Sequence, residues 1–269
     1  MRRRFASFRC WLFVFVFASM ILAATLPPLS HAVDPVHPQP AAPANIVIGF
    51  VGGWVGHDRP NHGPIELAWR IQRSVPKATY VQVFENRHRK NAYITVLHLL
   101  DKDHSGVLSP EEKSHARIIL FGHSWGAAAA VALAADLRRQ GIPVLLTAQV
   151  DSIAKFWQND SIIPDNVAEA INFYQPHGIL RGRQQIKAAD PAKTEILGNY
   201  REDYKKNPVQ CSVEPWFNRL FTSGHMQSEC DPHVWSKIES MVRQRLDSSY
   251  APASTAAAAI APAPDNQQR

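Results

Sequence analysis

The chain has 269 residues, of which 45% are hydrophobic and 19% are charged. This composition is typical of a globular protein with a sizeable core, and it excludes a wholly disordered chain. The formal net charge is +6, but residues 1–32 hold four arginines and no acidic residue. The rest of the chain has 25 basic and 23 acidic residues, a net charge of +2, and no basic stripe that would indicate a nucleic-acid partner.

Residues 1–32 have the pattern of a secretory signal peptide. A basic stretch precedes an apolar segment at 11–26, and Ser30-His31-Ala32 offers small residues at the positions that a signal peptidase recognises. We expect cleavage before Val33 and export to the periplasm or the cell exterior. The alternative is an uncleaved membrane anchor, for which the apolar run is short. After cleavage, no segment of membrane-spanning length is expected to remain.

The predicted folded domain covers residues 45–247, between a Pro/Ala-rich linker at 33–44 and an Ala/Pro tail at 248–269. The linker and the tail have too few bulky apolar residues to bury a core, and we expect the tail to be disordered. Two cysteines, Cys211 and Cys230, lie inside the domain. In an exported protein such a pair predicts one disulfide, and the alternative is two free thiols.

The first half of the domain alternates predicted strands and helices. The apolar run at 45–51 predicts a buried strand, and an amphipathic pattern at 63–74 predicts a helix. Period-two alternation at 79–85 predicts a second strand, and apolar positions spaced along 89–100 predict a second helix. A glycine-rich turn at 52–54 follows the first strand.

Residues 101–112 match the twelve-residue loop of an EF-hand, a calcium-binding motif. Oxygen-bearing residues stand where a hard cation needs ligands, and Gly106 lets the chain turn around the cation. We expect any Ca²⁺ bound here to be structural rather than regulatory. The alternative is an Asp/Gly/Ser turn in which a serine caps a short helix. The predicted ligands are Asp101, Asp103, Ser105, the backbone carbonyl of Val107, Ser109 and Glu112.

The pattern Gly-x-Ser-x-Gly occurs at Gly122-His123-Ser124-Trp125-Gly126, between an apolar run at 118–121 and an alanine-rich segment. A strand, a sharp turn and a helix in this order are typical of a nucleophile elbow, in which a strained backbone exposes a serine hydroxyl. The segment resembles the elbow of the α/β-hydrolase superfamily, particularly its lipase-like and esterase-like members. The alternative is an ordinary Gly-Ser turn.

The resemblance implies an α/β fold with a mostly parallel, doubly wound sheet in a three-layer sandwich. It also implies that Ser124 is a nucleophile at the carboxyl edge of that sheet. An oxyanion hole would then be formed by the backbone N–H of Trp125 and by one from Gly53 or Trp54.

The superfamily has its catalytic residues in the chain order serine, acid, histidine. Asp151 directly follows a clear buried strand, so we predict it as the acid, with Asp190 as the alternative. His225 follows a glycine in a predicted loop before a last amphipathic helix at 232–246. We therefore predict His225 as the base, ahead of His233 at the start of that helix.

Together these residues predict an exported serine hydrolase that cleaves carboxylic esters through an acyl-enzyme. The expected substrate is a small-molecule or lipid ester, with thioesters and amides left open. No organic cofactor and no nucleic-acid partner is expected. The alternative from a different class is a non-catalytic secreted protein that binds calcium or a partner on a hydrolase scaffold.

Overall fold

Buried apolar runs supply the strands of one large sheet. The computed structural model describes residues 45–211 and 219–247. In chain order the strands are β1 (Asn45–Val51), β2 (Thr79–Glu85), β3 (Ile118–His123), β4 (Val144–Val150), β5 (Ile162–Ile163), β6 (Val167–Tyr174), β7 (Lys187–Ala188) and β8 (Glu195–Arg201). Six of them form one sheet in the order β2-β1-β3-β4-β6-β8, and every neighbouring pair is parallel. The short β5 and β7 pair with each other.

Helices connect most of these strands. They are α1 (Gly63–Ser74), α2 (Arg89–Leu100), α3 (Pro110–Ser114), α4 (Trp125–Arg138), α5 (Arg219–Cys230) and α6 (Pro232–Leu246). A single 3-10 turn at Asn86–His88 joins β2 to α2. The bounds of α1, β2, α2 and α6 agree with the helices and strands predicted from the sequence.

Two apolar layers, one on each face of the sheet, hold the helices. On one face, Val47, Val51 and Phe121 belong to a cluster with residues of α1 and α6. On the other face, Ile48 and Leu120 belong to a cluster with residues of α2 and α4. Because adjacent residues of a strand point to opposite faces, β1 and β3 need apolar side chains at nearly every position. The fold is therefore the three-layer α/β sandwich with a parallel sheet that was predicted.

The order of the strands creates a crevice at one edge of the sheet. From β1 the chain moves outward to β2, and it then returns to form β3 on the other side of β1. The connections that leave β1 and β3 therefore diverge, and a crevice forms at such a switch point beyond the carboxyl ends of the strands. The turn at 52–54 and the elbow serine both lie there.

Two parts of the fold differ from the sequence-based expectation. The pattern predicts irregular structure from 174 to about 220, yet β8 lies in that region. Most of its side chains are partly or fully exposed at the edge of the sheet, so it lacks the apolar run that marks β3. His225 lies in helix α5 rather than in a loop. Its neighbour Gly224 is explained by close packing, since a Cβ there would lie 2.6 Å from Gln175 Oε1.

The predicted signal peptide, the linker and the tail lie outside the described residues. Within the described part of the chain, no helix is both long and apolar enough to cross a membrane.

Gly126 provides a test of how closely α4 packs on the sheet. A Cβ at this position would lie 2.3 Å from the carbonyl oxygen of Phe50 in β1, a backbone atom that cannot rotate away. We expect Gly126→Ala to lower the free energy of unfolding by about 3 kcal/mol, as overpacking commonly does. Urea unfolding measures the change. The matched control is Gly56→Ala, where the nearest atom is Asp58 Oδ1, at the end of an exposed side chain. Equal midpoints for the two variants would contradict the expectation.

Candidate active site

Ser124 occupies the sharp turn between β3 and α4. Its backbone has φ 56° and ψ −126°. Residues other than glycine rarely adopt this conformation, which costs roughly 1–3 kcal/mol. Two backbone hydrogen bonds hold it there: Ser124 N–H donates to Val150 O at 3.0 Å, and Ile153 N–H donates to Ser124 O at 3.2 Å. The turn is therefore fixed to the end of β4 and to the segment that follows it.

Three of the predicted site residues form one hydrogen-bonded chain. Ser124 Oγ lies 2.9 Å from His225 Nε2, and His225 Nδ1 lies 2.7 Å from Asp151 Oδ2. All three residues are buried. A carboxylate accepts only, so Nδ1 carries the proton and donates to Asp151, while Nε2 is left to accept from the serine hydroxyl. This is the arrangement in which a serine can be activated as a nucleophile.

The carboxylate of Asp151 is buried but fully supplied with donors. Oδ1 accepts from the backbone N–H groups of Gln175 and Gly182, at 3.2 and 2.8 Å. Oδ2 accepts from Gln175 Nε2 at 3.1 Å as well as from His225. A buried charge is costly unless such partners surround it. These donors come from the segment after β6, which therefore holds Asp151 in position.

The structure does not bring the other candidates into this chain. Asp190 lies before β8, where its Oδ1 accepts from Ala192 N–H at 3.0 Å and its Oδ2 is 3.8 Å from Lys193 Nζ. His233 is an exposed residue in the first turn of α6. The sheet order explains the difference for the two acids, since β4 lies directly beside β3.

A disulfide fixes the end of the helix that carries the histidine. Cys230 is the last residue of α5 and is bonded to Cys211, with 5.4 Å between their Cα atoms. Closing the loop between the two cysteines removes conformational freedom from the unfolded chain. In the chain-entropy model this contributes about 3 kcal/mol to stability.

The glycine-rich turn after β1 lies against the elbow. A Cβ on Gly52 would lie 2.9 Å from the Cβ of Ser124, so only glycine fits without displacement. Gly53 has φ 49°, and its carbonyl accepts from Asn86 Nδ2 at 2.6 Å. The C=O and N–H of one trans peptide point in opposite directions, so the Trp54 N–H points away from Asn86. At the elbow, the N–H of Trp125 is one of the first four of α4, which have no acceptor within the helix.

An apolar cleft of about 400 Å³ leads to the serine. Its walls come from the turn after β1, the elbow, α5, and the segments after β4 and β6. The lining includes Trp54, Val55, Trp125, Ile153, Leu180 and Met226. The indole rings of Trp54 and Trp125 meet edge to face, with 6.2 Å between their centres. Such a cleft accommodates an apolar group next to the Ser124 hydroxyl.

A second buried network, which the sequence analysis missed, lies beside this chain. Glu229 lies four residues after His225 in α5, and its Oε1 is 2.8 Å from His62 Nδ1 and 3.8 Å from His123 Nδ1. His123 Nε2 is 3.1 Å from the carbonyl oxygen of His225, which can only accept, so Nε2 carries a proton. The rings of His123 and His225 lie next to each other, with 4.6 Å between their centres and an angle of 34° between their planes. A correct helix assignment for α5 would have shown that Glu229 lies one turn from His225.

Burial sets the charges in this network. It lowers the pKa of His123 to about 4, and the nearby His225 acts in the same direction, while Glu229 and Asp151 oppose it. Burial alone would raise the pKa of Glu229, but His123 and His62 lower it below the ordinary glutamate value. At neutral pH a neutral His123 therefore lies beside an ionised Glu229.

The predicted calcium loop brings its carboxylates together. One oxygen each from Asp101, Asp103 and Glu112 lie within 4.8 Å of one another. Gly106 has φ 78°, as the turn requires. Ser109 caps the short α3 through a capping box with Glu112, whose Oε1 also accepts from Lys102 N–H at 2.7 Å. The helix cap that the alternative interpretation predicts is thus present. Bidentate binding of Ca²⁺ by Glu112 would have to replace these hydrogen bonds. The other two predicted ligands contact each other, since Ser105 Oγ donates to Val107 O at 3.0 Å.

The solved structures that are similar to this chain include two esterase structures. One is an acetylxylan esterase, with a TM-score of 0.38, 11% identity, and coverage of 77% of this chain and 100% of that chain. Another is an iodinated complex of acetyl xylan esterase, with a TM-score of 0.35, 11% identity, and coverage of 76% and 99%. Such low values carry no information about the substrate of this chain. No family model matches the sequence. No curated protein matches it either.

The depressed pKa of His123 predicts how stability depends on pH. In the unfolded chain this histidine takes up a proton near its ordinary pKa of 6.5, whereas in the folded protein it does so only near pH 4. Protons therefore favour the unfolded state within this window, and stability falls as the pH drops from 6.5 to 4. Above 6.5 the contribution of His123 is complete.

Thermal melts across this pH range measure the effect. His123→Gln, which keeps a donor but cannot titrate, should show a shallower decline in the midpoint than the wild type. His115→Gln, at an exposed position, is the matched control and should follow the wild type. An unchanged decline in His123→Gln would show that His123 is not the group responsible.

Proposed function

We propose that this chain is an exported serine hydrolase that cleaves carboxylic esters through an acyl-enzyme. One observation carries the proposal: the chain of hydrogen bonds from Ser124 Oγ to His225 and from His225 to Asp151, at 2.9 and 2.7 Å. It lies at the carboxyl edge of a parallel sheet and beside a cleft. The predicted signal peptide and the Cys211–Cys230 disulfide support export, because such bonds persist in oxidising compartments.

The residues divide the reaction between them in the usual way for such a triad. Ser124 Oγ attacks the ester carbonyl carbon while its proton passes to His225 Nε2, and Asp151 stabilises the imidazolium that forms. His225 then gives the proton to the departing alcohol, which leaves an acyl group on Ser124. A water molecule, deprotonated by His225, attacks this acyl group and releases the acid.

The oxyanion of each tetrahedral intermediate needs fixed donors. We propose the backbone N–H of Trp125 and that of Trp54, with Gly53 as the alternative in the turn after β1. The hydrogen bond from Asn86 to the Gly53 carbonyl supports Trp54, because it turns the Trp54 N–H away from Asn86. One such donor typically contributes about 100- to 1,000-fold to the rate.

The cleft supports an ester with an apolar group, as a small molecule or as a lipid. Its lining is largely apolar, with two indole rings on one side. Thioesters and amides have the same carbonyl chemistry and remain candidate substrates. The alternative function is a non-catalytic protein that binds calcium or a partner on this scaffold.

We also propose that the loop at 101–112 binds Ca²⁺ in a structural role. The convergence of Asp101, Asp103 and Glu112 supports this, since Ca²⁺ takes several oxygen ligands. Hydrogen bonds from Ser105 lower the pKa of Asp103, and those from Ser109 and Lys102 lower the pKa of Glu112. Both carboxylates are therefore charged at neutral pH.

A fluorophosphonate probe tests the proposed nucleophile, because it labels only serines that are activated. We expect labelling of the wild type, no labelling of Ser124→Ala, and normal labelling of Ser114→Ala, an exposed serine that serves as the control. Activity on a short-chain ester should be lost in parallel. A folded wild type that takes up no label would favour the non-catalytic alternative.

Thermal melts with calcium or with a chelator test the loop. Binding to the folded state alone should raise the midpoint in millimolar calcium. Asp103→Asn should reduce this shift, and Asp58→Asn, an exposed aspartate outside the loop, should keep it. The absence of any shift in the wild type would remove the calcium proposal.

A further inference from the structure

A tight turn after β4 presents two aromatic side chains to solvent. Gln158 N–H donates to Lys155 O at 2.8 Å, so Phe156 and Trp157 lie at the tip of the turn. Phe156 is fully exposed, and Trp157 is 79% exposed. Turn tips usually carry glycine, proline, asparagine, aspartate or serine, and two adjacent large aromatic residues have no role in forming such a turn.

A second tip after β6 repeats this arrangement with aliphatic residues. Gly178 has φ 86°, and Ile179 and Leu180 follow it. Ile179 is 72% exposed, and Leu180 is exposed as well. The loop is closed from inside by Gln175, whose Nε2 donates to Leu180 O at 2.8 Å.

The two loops are fastened to each other at their bases. The backbone N–H of Arg183 donates to Ser152 O at 2.7 Å, and its guanidinium binds the buried Asp160 at 2.8 Å. Because β4 and β6 are neighbours in the sheet, both tips project beyond the same edge. We call the exposed apolar residues at 156–157 and 179–180 together the tip surface.

The tip surface borders the mouth of the proposed active site. Leu180 lines the cleft together with Ile153 and Trp54, and Trp54 is itself 80% exposed. An exposed apolar patch next to a cleft indicates a surface that binds a partner or a membrane.

Cations flank the tip surface. Lys155 directly precedes the first apolar pair and Arg181 directly follows the second. Arg181 is exposed, whereas Lys155 Nζ donates to Asn86 Oδ1 at 2.9 Å and lies 5.2 Å from the centre of the Trp125 ring. The guanidinium of Arg87 lies 5.9 Å above the ring of Trp54.

We propose that the tip surface docks this protein onto an anionic lipid surface, with the cleft facing the lipid. Tryptophan and phenylalanine beside lysine and arginine are the side chains that bind at the boundary of headgroups and acyl chains. The exposed guanidinium of Arg181 complements anionic headgroups. Ile179 and Leu180 favour lipid over a polysaccharide, because aliphatic side chains offer no flat ring on which a sugar can stack. This docking goes beyond ester hydrolysis and does not need Ser124.

Co-sedimentation with vesicles tests the proposal. The parent protein and every variant carry Ser124→Ala, so that no lipid is hydrolysed during the measurement. All of them begin and end at the same residues. The vesicles contain equal parts of phosphatidylglycerol and phosphatidylcholine. We expect the parent protein to bind, and Phe156→Ser/Trp157→Ser to bind about tenfold more weakly. Trp69→Ser/Ile94→Ser, which removes exposed apolar residues from α1 and α2, should bind like the parent.

A second variant, Arg181→Gln, tests the electrostatic contribution to vesicle binding. Arg181→Gln should weaken binding to the anionic vesicles, as added salt should, and should leave the weaker binding to pure phosphatidylcholine unchanged. The thermal midpoint of Phe156→Ser/Trp157→Ser serves as the check of folding and should match that of the parent protein. Equal vesicle binding by parent and tip variant would overturn the proposal. So would retention of the parent on an insoluble polysaccharide without binding to vesicles. Because vesicle binding needs no catalysis, failure here is distinct from failure of the proposed hydrolysis.

Discussion

The close contact between the start of α4 and the ends of β1 and β3 is the constraint on which the site depends. Gly122 and Gly126 bring backbone against backbone, with no space for a Cβ at either position. The helix can therefore begin immediately after the strand, which forces Ser124 into its strained conformation and turns its hydroxyl out of the core. The strain is tolerated because β4 and the segment after it bond both peptide groups of Ser124.

Two buried carboxylates organise the loops around His225. Asp151 contacts its Nδ1 and draws the segment after β6 inward, while Glu229 connects the start of α1 to the elbow through His62 and His123. Asp151 accepts four hydrogen bonds, which offset the cost of burying its charge, and Glu229 accepts one from His62. The imidazole of His225 therefore lies near two negative charges, since Asp151 bonds it directly and Glu229 lies one helical turn further along α5.

Local patterns predicted most of the fold and pointed to the three residues that the structure brings together, Ser124, Asp151 and His225. The elbow, Asp151 and the first helices are each set by neighbours in sequence: glycines at a turn, an acid at a strand end, apolar periodicity. Features that depend on distant contacts were not predictable in this way. The position of β4 beside β3 is what brings Asp151 rather than Asp190 to His225. Strand β8 carries a weak sequence signal because it is an edge strand. The position of Glu229 next to His225 could be predicted only if α5 was known to be a helix.

The side-chain amide of Gln175 has a consequence for how the mouth of the cleft can move. Its single NH₂ group donates both to Asp151 Oδ2 and to the carbonyl of Leu180, at 3.1 and 2.8 Å. The next residues reinforce the link, since Gly182 N–H also donates to Asp151. The second tip therefore cannot swing away as a hinged lid without taking donors from the carboxylate that orients His225. This wall of the cleft is therefore held in place by the same carboxylate that bonds His225.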